Sequence, residues 1–174
     1  MAAQKRLGVA KSAASALLRS SYQRRDEVAL MVFRGEGTEL ALPFTNDVAS
    51  IESALAEVPT GGRTPLARAL TDAAELLRER EPSLLVIFTD GRANVSAHAT
   101  ADALGADPWA EALAACESVR AACAGALVID CEAGPILLGR ARTLADALQA
   151  ECVALSALES TDLTVRIQRR LEML

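Results

Sequence analysis

The chain has 174 residues, enough for one domain with a real core and too few for two of ordinary size. Hydrophobic residues make up 51% but aromatics only 3%, so Ala, Leu and Val packed along helices and short strands must form the core, which favours α/β over an all-β sandwich. The net charge is −5 and the lysines and arginines are scattered rather than gathered into a stripe, which argues against a nucleic-acid partner.

From Ala2 to about Ser21, Leu7, Ala10, Ala14, Leu17 and Leu18 recur at helical spacing, with Lys5, Lys11 and Arg19 mostly off that face. Val28 to Phe33 and Glu39 to Phe44 read as two strands of a hairpin, joined by a turn that contains Gly35 and Gly37. Asn46 and Asp47 can cap a helix running to about Val58, and Pro59-Thr60-Gly61-Gly62 breaks it. Thr64, a good N-cap type, then opens a helix with Pro65 at its first position, carrying Leu66, Leu70, Ala73, Leu76 and Leu77 to about Arg80.

Pro82 ends that helix before Leu84 to Phe88, an unbroken apolar run that predicts a strand buried on both faces in a parallel sheet. Gly91 to Asp107 lacks periodicity and reads as a loop, followed by a helix from about Pro108 to Ala122 and a second buried strand, Ala126 to Asp130. A helix near Leu138 to Ala150, a short strand near Cys152 to Leu155 and a helix from about Thr161 complete the order. Helix, hairpin, then alternating helix and strand imply a single domain built on an open, mostly parallel sheet.

Cys116, Cys123, Cys131 and Cys152 form no C-x-x-C pair, which points to reduced thiols and a cytoplasmic chain. Cys116 and Cys123, seven apart, are expected on one helix face as packing residues. No apolar run approaches the roughly 18 residues that cross a bilayer, so no membrane insertion is expected. His98 is the only histidine, which leaves a histidine-based zinc site or a Ser-His-Asp triad without material. No phosphate loop occurs, since Gly61-Gly62 lacks a following lysine.

In open α/β sheets ligands bind beyond the carboxyl ends of the strands. Two loops are expected there: Thr60-Gly61-Gly62-Arg63-Thr64-Pro65, and Phe88-Thr89-Asp90-Gly91-Arg92. The Thr64 hydroxyl and the Asp90 carboxylate are hard oxygen ligands of the kind that Mg²⁺ or Mn²⁺ accepts, although an N-cap threonine and an Asp-Gly turn are each ordinary structure. Arg63 and Arg92 flank this rim and could meet an acidic partner, while Trp109 could pack on the rim loop or on a partner.

The segments TGGRTPL and LLVIFTDGRANV resemble the second and third parts of the metal-ion-dependent adhesion site of von Willebrand factor A domains. YQRRDEVALMVFRGEGTELALPFT and ALVIDCEAGPILLGRARTLADAL are similar to the D subunit of magnesium chelatase, and the likeness runs over nearly the whole chain. TDGRAN and FRGEG separate that family from adhesion-type A domains better than the generic Thr and Asp do.

The resemblance implies an α/β, Rossmann-like fold with helices on both faces of the sheet. It also implies an interaction module that supports Mg²⁺ insertion into protoporphyrin IX for chlorophyll and bacteriochlorophyll synthesis, with no catalytic residue of its own. Its partners would be the AAA+ I subunit and the porphyrin-binding H subunit, with ATP handled in a separate upstream module. Thr64 and Asp90 would be the metal-facing residues, and Arg34, Glu36, Arg63 and Arg92 the partner-binding candidates. Arg34-Gly35-Glu36 resembles a short charged segment of these subunits, although it is also an adequate hairpin turn.

The family's Asp-x-Ser-x-Ser is nowhere in the sequence, and MAAQKRL resembles the helix that follows it. The expectation is therefore that the first, central strand is missing, that two strand edges are exposed, and that the metal site is partial and weakly occupied. The alternative is an A domain serving another AAA+ machine, cobaltochelatase-like or MoxR-associated.

Overall fold

The structure, a computed structural model, describes residues 8–12, 14–15, 26–59, 61–80, 82–97, 107–132 and 137–155. The expected C-terminal helix, His98 and most of the expected first helix lie outside the described residues. The chain divides into two compact units, one including residues up to Val32 and Glu39–Gly61, the other Phe33–Thr38 and Gly62–Ala154.

In the first unit, residues 8–12, 14 and 15 are helical and belong to α1. Strand β1 (Val28–Arg34) pairs with β2 (Gly37–Thr45) in a two-stranded sheet whose turn falls in the second unit. Gly35 takes φ +66° at the first position of that turn, a conformation that favours glycine. Helix α2 (Val48–Glu57) starts where expected, because the Asp47 carboxylate accepts the backbone N–H groups of Ala49 and Ser50. Ile51 and Leu55, one turn apart, are buried in a small cluster with Ala14, Val28, Leu30 and Leu42.

The second unit holds α3 (Leu66–Leu77), β3 (Leu84–Thr89), α4 (Pro108–Ala122), β4 (Gly125–Asp130), α5 (Arg140–Leu148) and β5 (Glu151–Ala154). Strands β3, β4 and β5 form a parallel sheet in that order. Helix α3 buries Leu66, Leu70, Ala73 and Leu77, the i, i+4, i+7, i+11 stripe expected of an amphipathic helix, and packs on α4. Pro108 lies in the first turn of α4 and the Asp107 carboxylate accepts the Trp109 N–H at 2.9 Å, which fixes that helix start. Helix α5 packs on α4, β4 and β5, burying Ala141, Leu144, Ala145 and Leu148.

Three expectations need correction. Burial on both faces holds for β4, whose residues Ala126 to Ile129 are all buried, but in β3 only Ile87 and Thr89 are, because β3 has a hydrogen-bonded neighbour on one side only among the described residues. Thr64 is not the N-cap of α3: Pro65 holds that position, with no side-chain cap. Cys123 is the C-cap residue of α4 in extended backbone rather than part of the helix, so it does not share a helix face with Cys116.

Candidate functional site

Strands β3 and β4 end level with each other, Thr89 opposite Asp130, so the loops that leave them start from one edge of the sheet. The backbone ladder continues one step further through the Cys131 N–H, which donates to the Thr89 carbonyl at 2.8 Å. Thr89 is buried and its hydroxyl accepts the Gly91 N–H at 3.1 Å, turning the chain sharply after the strand. Asp90 then closes a small turn on itself: one carboxylate oxygen accepts the Arg92 N–H at 3.2 Å and the other lies 3.4 Å from Arg92 Nε.

The loop before α3 reaches this edge through Asn94. The Asn94 side-chain oxygen accepts the Thr64 N–H at 2.6 Å, and the Asn94 N–H donates to the Thr64 carbonyl at 3.2 Å. Thr64 is thus tied in both directions to the loop that carries Asp90. Gly61 and Gly62, at φ +76° and +117°, let the chain fold into this position. The hairpin turn joins the same strip: the Gly35 N–H donates to the Arg63 carbonyl at 2.9 Å, and Arg63 Nη1 lies 3.2 Å from Glu36 Oε1. Arg34 is exposed on the adjoining strand end. The pair Arg63–Glu36 is solvent-exposed and adds little stability, which leaves both groups available to another molecule.

Asn94 closes the TDGRAN segment, and its residue type alone does not mark the bond to Thr64. Changing Asn94 to Ala removes the acceptor for the Thr64 N–H and is expected to cost about 0.5–1.5 kcal/mol, read as a lower urea midpoint with an unchanged m-value.

A second acceptor that residue types did not reveal is Glu132. Its carboxylate accepts the N–H groups of Leu138 at 2.7 Å and Gly139 at 3.0 Å, and its own N–H donates to an Asp130 carboxylate oxygen at 2.8 Å. These bonds, first that from Leu138 and then that from Gly139, hold the Glu132 carboxyl below its ordinary range, with Arg92 adding a smaller pull. The clamp is therefore complete above the ordinary carboxylate range and loosens as the pH falls through that lowered value.

Thr64 and Asp90 offer two oxygen donors where octahedral Mg²⁺ takes six, and the Asp90 carboxylate is already engaged by Arg92. Among the described residues, no three His, Cys, Asp or Glu side chains gather as a metal-binding group. The donor set present does not complete a magnesium site by itself.

None of the four cysteines is in a disulfide, and burial pushes the Cys116 thiol up to about 11. Trp109 carries the Arg140 guanidinium over its ring at 5.2 Å from the centroid, so it packs against the start of α5. No helix among the described residues is long and apolar enough to cross a membrane.

The parallel sheet carries the Asp90–Asn94 loop at the end of β3, and Asn94 ties the segment before α3 to that loop. The fold matches a von Willebrand factor type A structure from Catenulispora acidiphila with a TM-score of 0.60 at 19% identity, covering 94% of this chain and 37% of that one. At that identity the match speaks for the fold alone. The von Willebrand factor type A domain profile matches residues 1–92, more than half of the chain, and the chain belongs to that family.

Among its relatives, an uncharacterized protein of Mycobacterium tuberculosis is 38% identical over 167 residues, covering 92% of this chain and 25% of the relative. The magnesium-chelatase 60 kDa subunit of Cereibacter sphaeroides is 39% identical over 132 residues, covering 74% of this chain and 23% of that subunit. The magnesium-chelatase 67 kDa subunit of Chlorobaculum parvum is 32% identical over 153 residues, 82% of this chain and 25% of that one. The chain spans about a quarter of the length of these three relatives.

Proposed function

We propose that the chain is the interaction domain of a magnesium chelatase D subunit, which docks on the AAA+ I subunit and couples it to the porphyrin-binding H subunit during Mg²⁺ insertion into protoporphyrin IX. The similarity to named magnesium-chelatase subunits over most of the chain carries this reading. It is supported by the strip of exposed polar groups at the sheet edge, Arg34, Glu36, Arg63 and Arg92 beside Thr64 and Asp90. Charged rim groups of this kind set encounter rate and partner choice more than raw affinity. Catalysis of metal insertion belongs to the other subunits in this reading, and ATP to the AAA+ module.

Mg²⁺ or Mn²⁺ is proposed to contact Thr64 and Asp90 weakly, with water and the partner completing the shell; docking through the charged strip does not depend on the ion. Titration of the chain with a purified I subunit in ATP and Mg²⁺ tests the reading. Saturable binding is expected, weakened about tenfold by joint reversal of Arg63 and Arg92 to Glu, a loss that corresponds to about 1.4 kcal/mol. Asp90→Ala is expected to abolish weak Mn²⁺ binding measured by calorimetry. Absence of binding to the I subunit, with binding to a different AAA+ ATPase in its place, would transfer the domain to another machine.

A further inference from the structure

We propose that Arg92 is the built-in counter-ion of Asp90, a guanidinium that occupies the carboxylate in place of a divalent ion and must release it before an ion can bind. The inference rests on the weak ion contact proposed above and assigns that weakness to a named residue.

Both oxygens of Asp90 face Arg92: one accepts its backbone N–H at 3.2 Å and the other lies 3.4 Å from its Nε. The turn that brings the two residues together is fixed at its centre. The Gly91 N–H donates to the hydroxyl of buried Thr89 at 3.1 Å, and Gly91 lies so close to the first residues of α5 that a β-carbon there would sit 2.6 Å from Arg140 Cβ. Asp90 and Arg92 therefore leave a held backbone two residues apart, and a pair that starts from a fixed base has less freedom to lose on closing. Their side chains are 35% and 68% exposed, so water reaches the pair, it adds little stability, and it can open.

The other charges of this edge have other partners. Arg63 pairs with Glu36, and Arg140 is spread over the Trp109 ring. Glu132 also attracts Arg92, but its two oxygens accept the Leu138 and Gly139 N–H groups, and an Asp130 oxygen accepts the Glu132 N–H. Asp130 and Glu132 add a negative field that draws cations to this edge in general, while the Asp90 carboxylate is the one that the guanidinium covers. Arg92 and a divalent ion thus compete for one carboxylate. An ion that binds there with the guanidinium still in place meets like-charge repulsion worth about tenfold in affinity even in water. Two protein donors, Thr64 and Asp90, offset little of that where octahedral Mg²⁺ takes six.

The test is calorimetric titration of the full chain and its variants with Mn²⁺, with thermal melting of each variant in parallel. Arg92→Ala should bind Mn²⁺ about tenfold more tightly than the unsubstituted chain, with an unchanged melting temperature because the pair is exposed. Arg92→Lys keeps the positive charge and should stay near the unsubstituted affinity. Arg78→Ala removes the same charge from an exposed position at the far end of α3 and should change nothing. Adding Asp90→Ala to Arg92→Ala should abolish the gain. Equal Mn²⁺ affinity in the unsubstituted chain and Arg92→Ala overturns the counter-ion role and leaves the weak ion contact intact. Binding by neither overturns the ion contact and the counter-ion together. A gain matched by Arg92→Lys or by Arg78→Ala, or one that survives Asp90→Ala, overturns local competition for the Asp90 carboxylate.

Discussion

Replacing Gly91 with alanine is expected to destabilise the second unit more than any exposed substitution. Gly91 takes φ +72°, and a β-carbon at this position would lie 2.6 Å from Arg140 Cβ, 2.9 Å from the Ala141 nitrogen and 3.1 Å from the Arg140 carbonyl carbon. Two of those neighbours are backbone atoms at the start of α5, so the clash cannot be relieved by turning a side chain. The left-handed conformation costs an L-residue about 1–2 kcal/mol, and overpacking adds about 1–3 kcal/mol, giving a loss of roughly 2–5 kcal/mol. Urea unfolding followed by Trp109 fluorescence measures it. An alanine variant as stable as the unsubstituted chain would mean that the turn after β3 does not press on α5 in solution.

Leu144→Ala is expected to cost about 2–5 kcal/mol, the range for a large-to-small change in a close-packed core. Leu144 has no exposed surface and stands on the buried face of α5, the helix that covers β4 and β5. The matched control is Leu137→Ala, the same chemical change at a side chain that is 63% exposed, for which a shift within about 0.5 kcal/mol is expected. Comparing the two melting curves isolates what the buried face of α5 contributes to the fold. A large loss at Leu137 would place that side chain in the core.

Much of this architecture was legible because the punctuation was local. Asp107 and Pro108 mark the start of α4, and the apolar run before Asp130 marks β4, since caps, a proline at the helix start and an unbroken buried strand are short-range signals. The hairpin was readable from two apolar runs with glycines between them. Thr64 departs from a cap role for a physical reason: Pro65 itself takes the cap position, and the Thr64 amide bonds across to Asn94, thirty residues away in sequence. The Glu132 clamp is likewise illegible in the sequence, because a carboxylate accepting amides six and seven residues on leaves no periodic trace. The half-buried state of β3 depends on which strands flank it, a property of topology rather than of its composition.

The two-way link between Thr64 and Asn94 has a mechanical consequence. A shift of the segment ahead of α3 must drag the turn beyond β3 along with it, because the Thr64 backbone is held at two points, by the Asn94 side-chain oxygen and by the Asn94 N–H. Any molecule that tugs on Arg63 would thereby displace Asp90, and one that seizes Asp90 would be felt at the root of α3. The two loops thus behave as a yoke, in which neither can move alone.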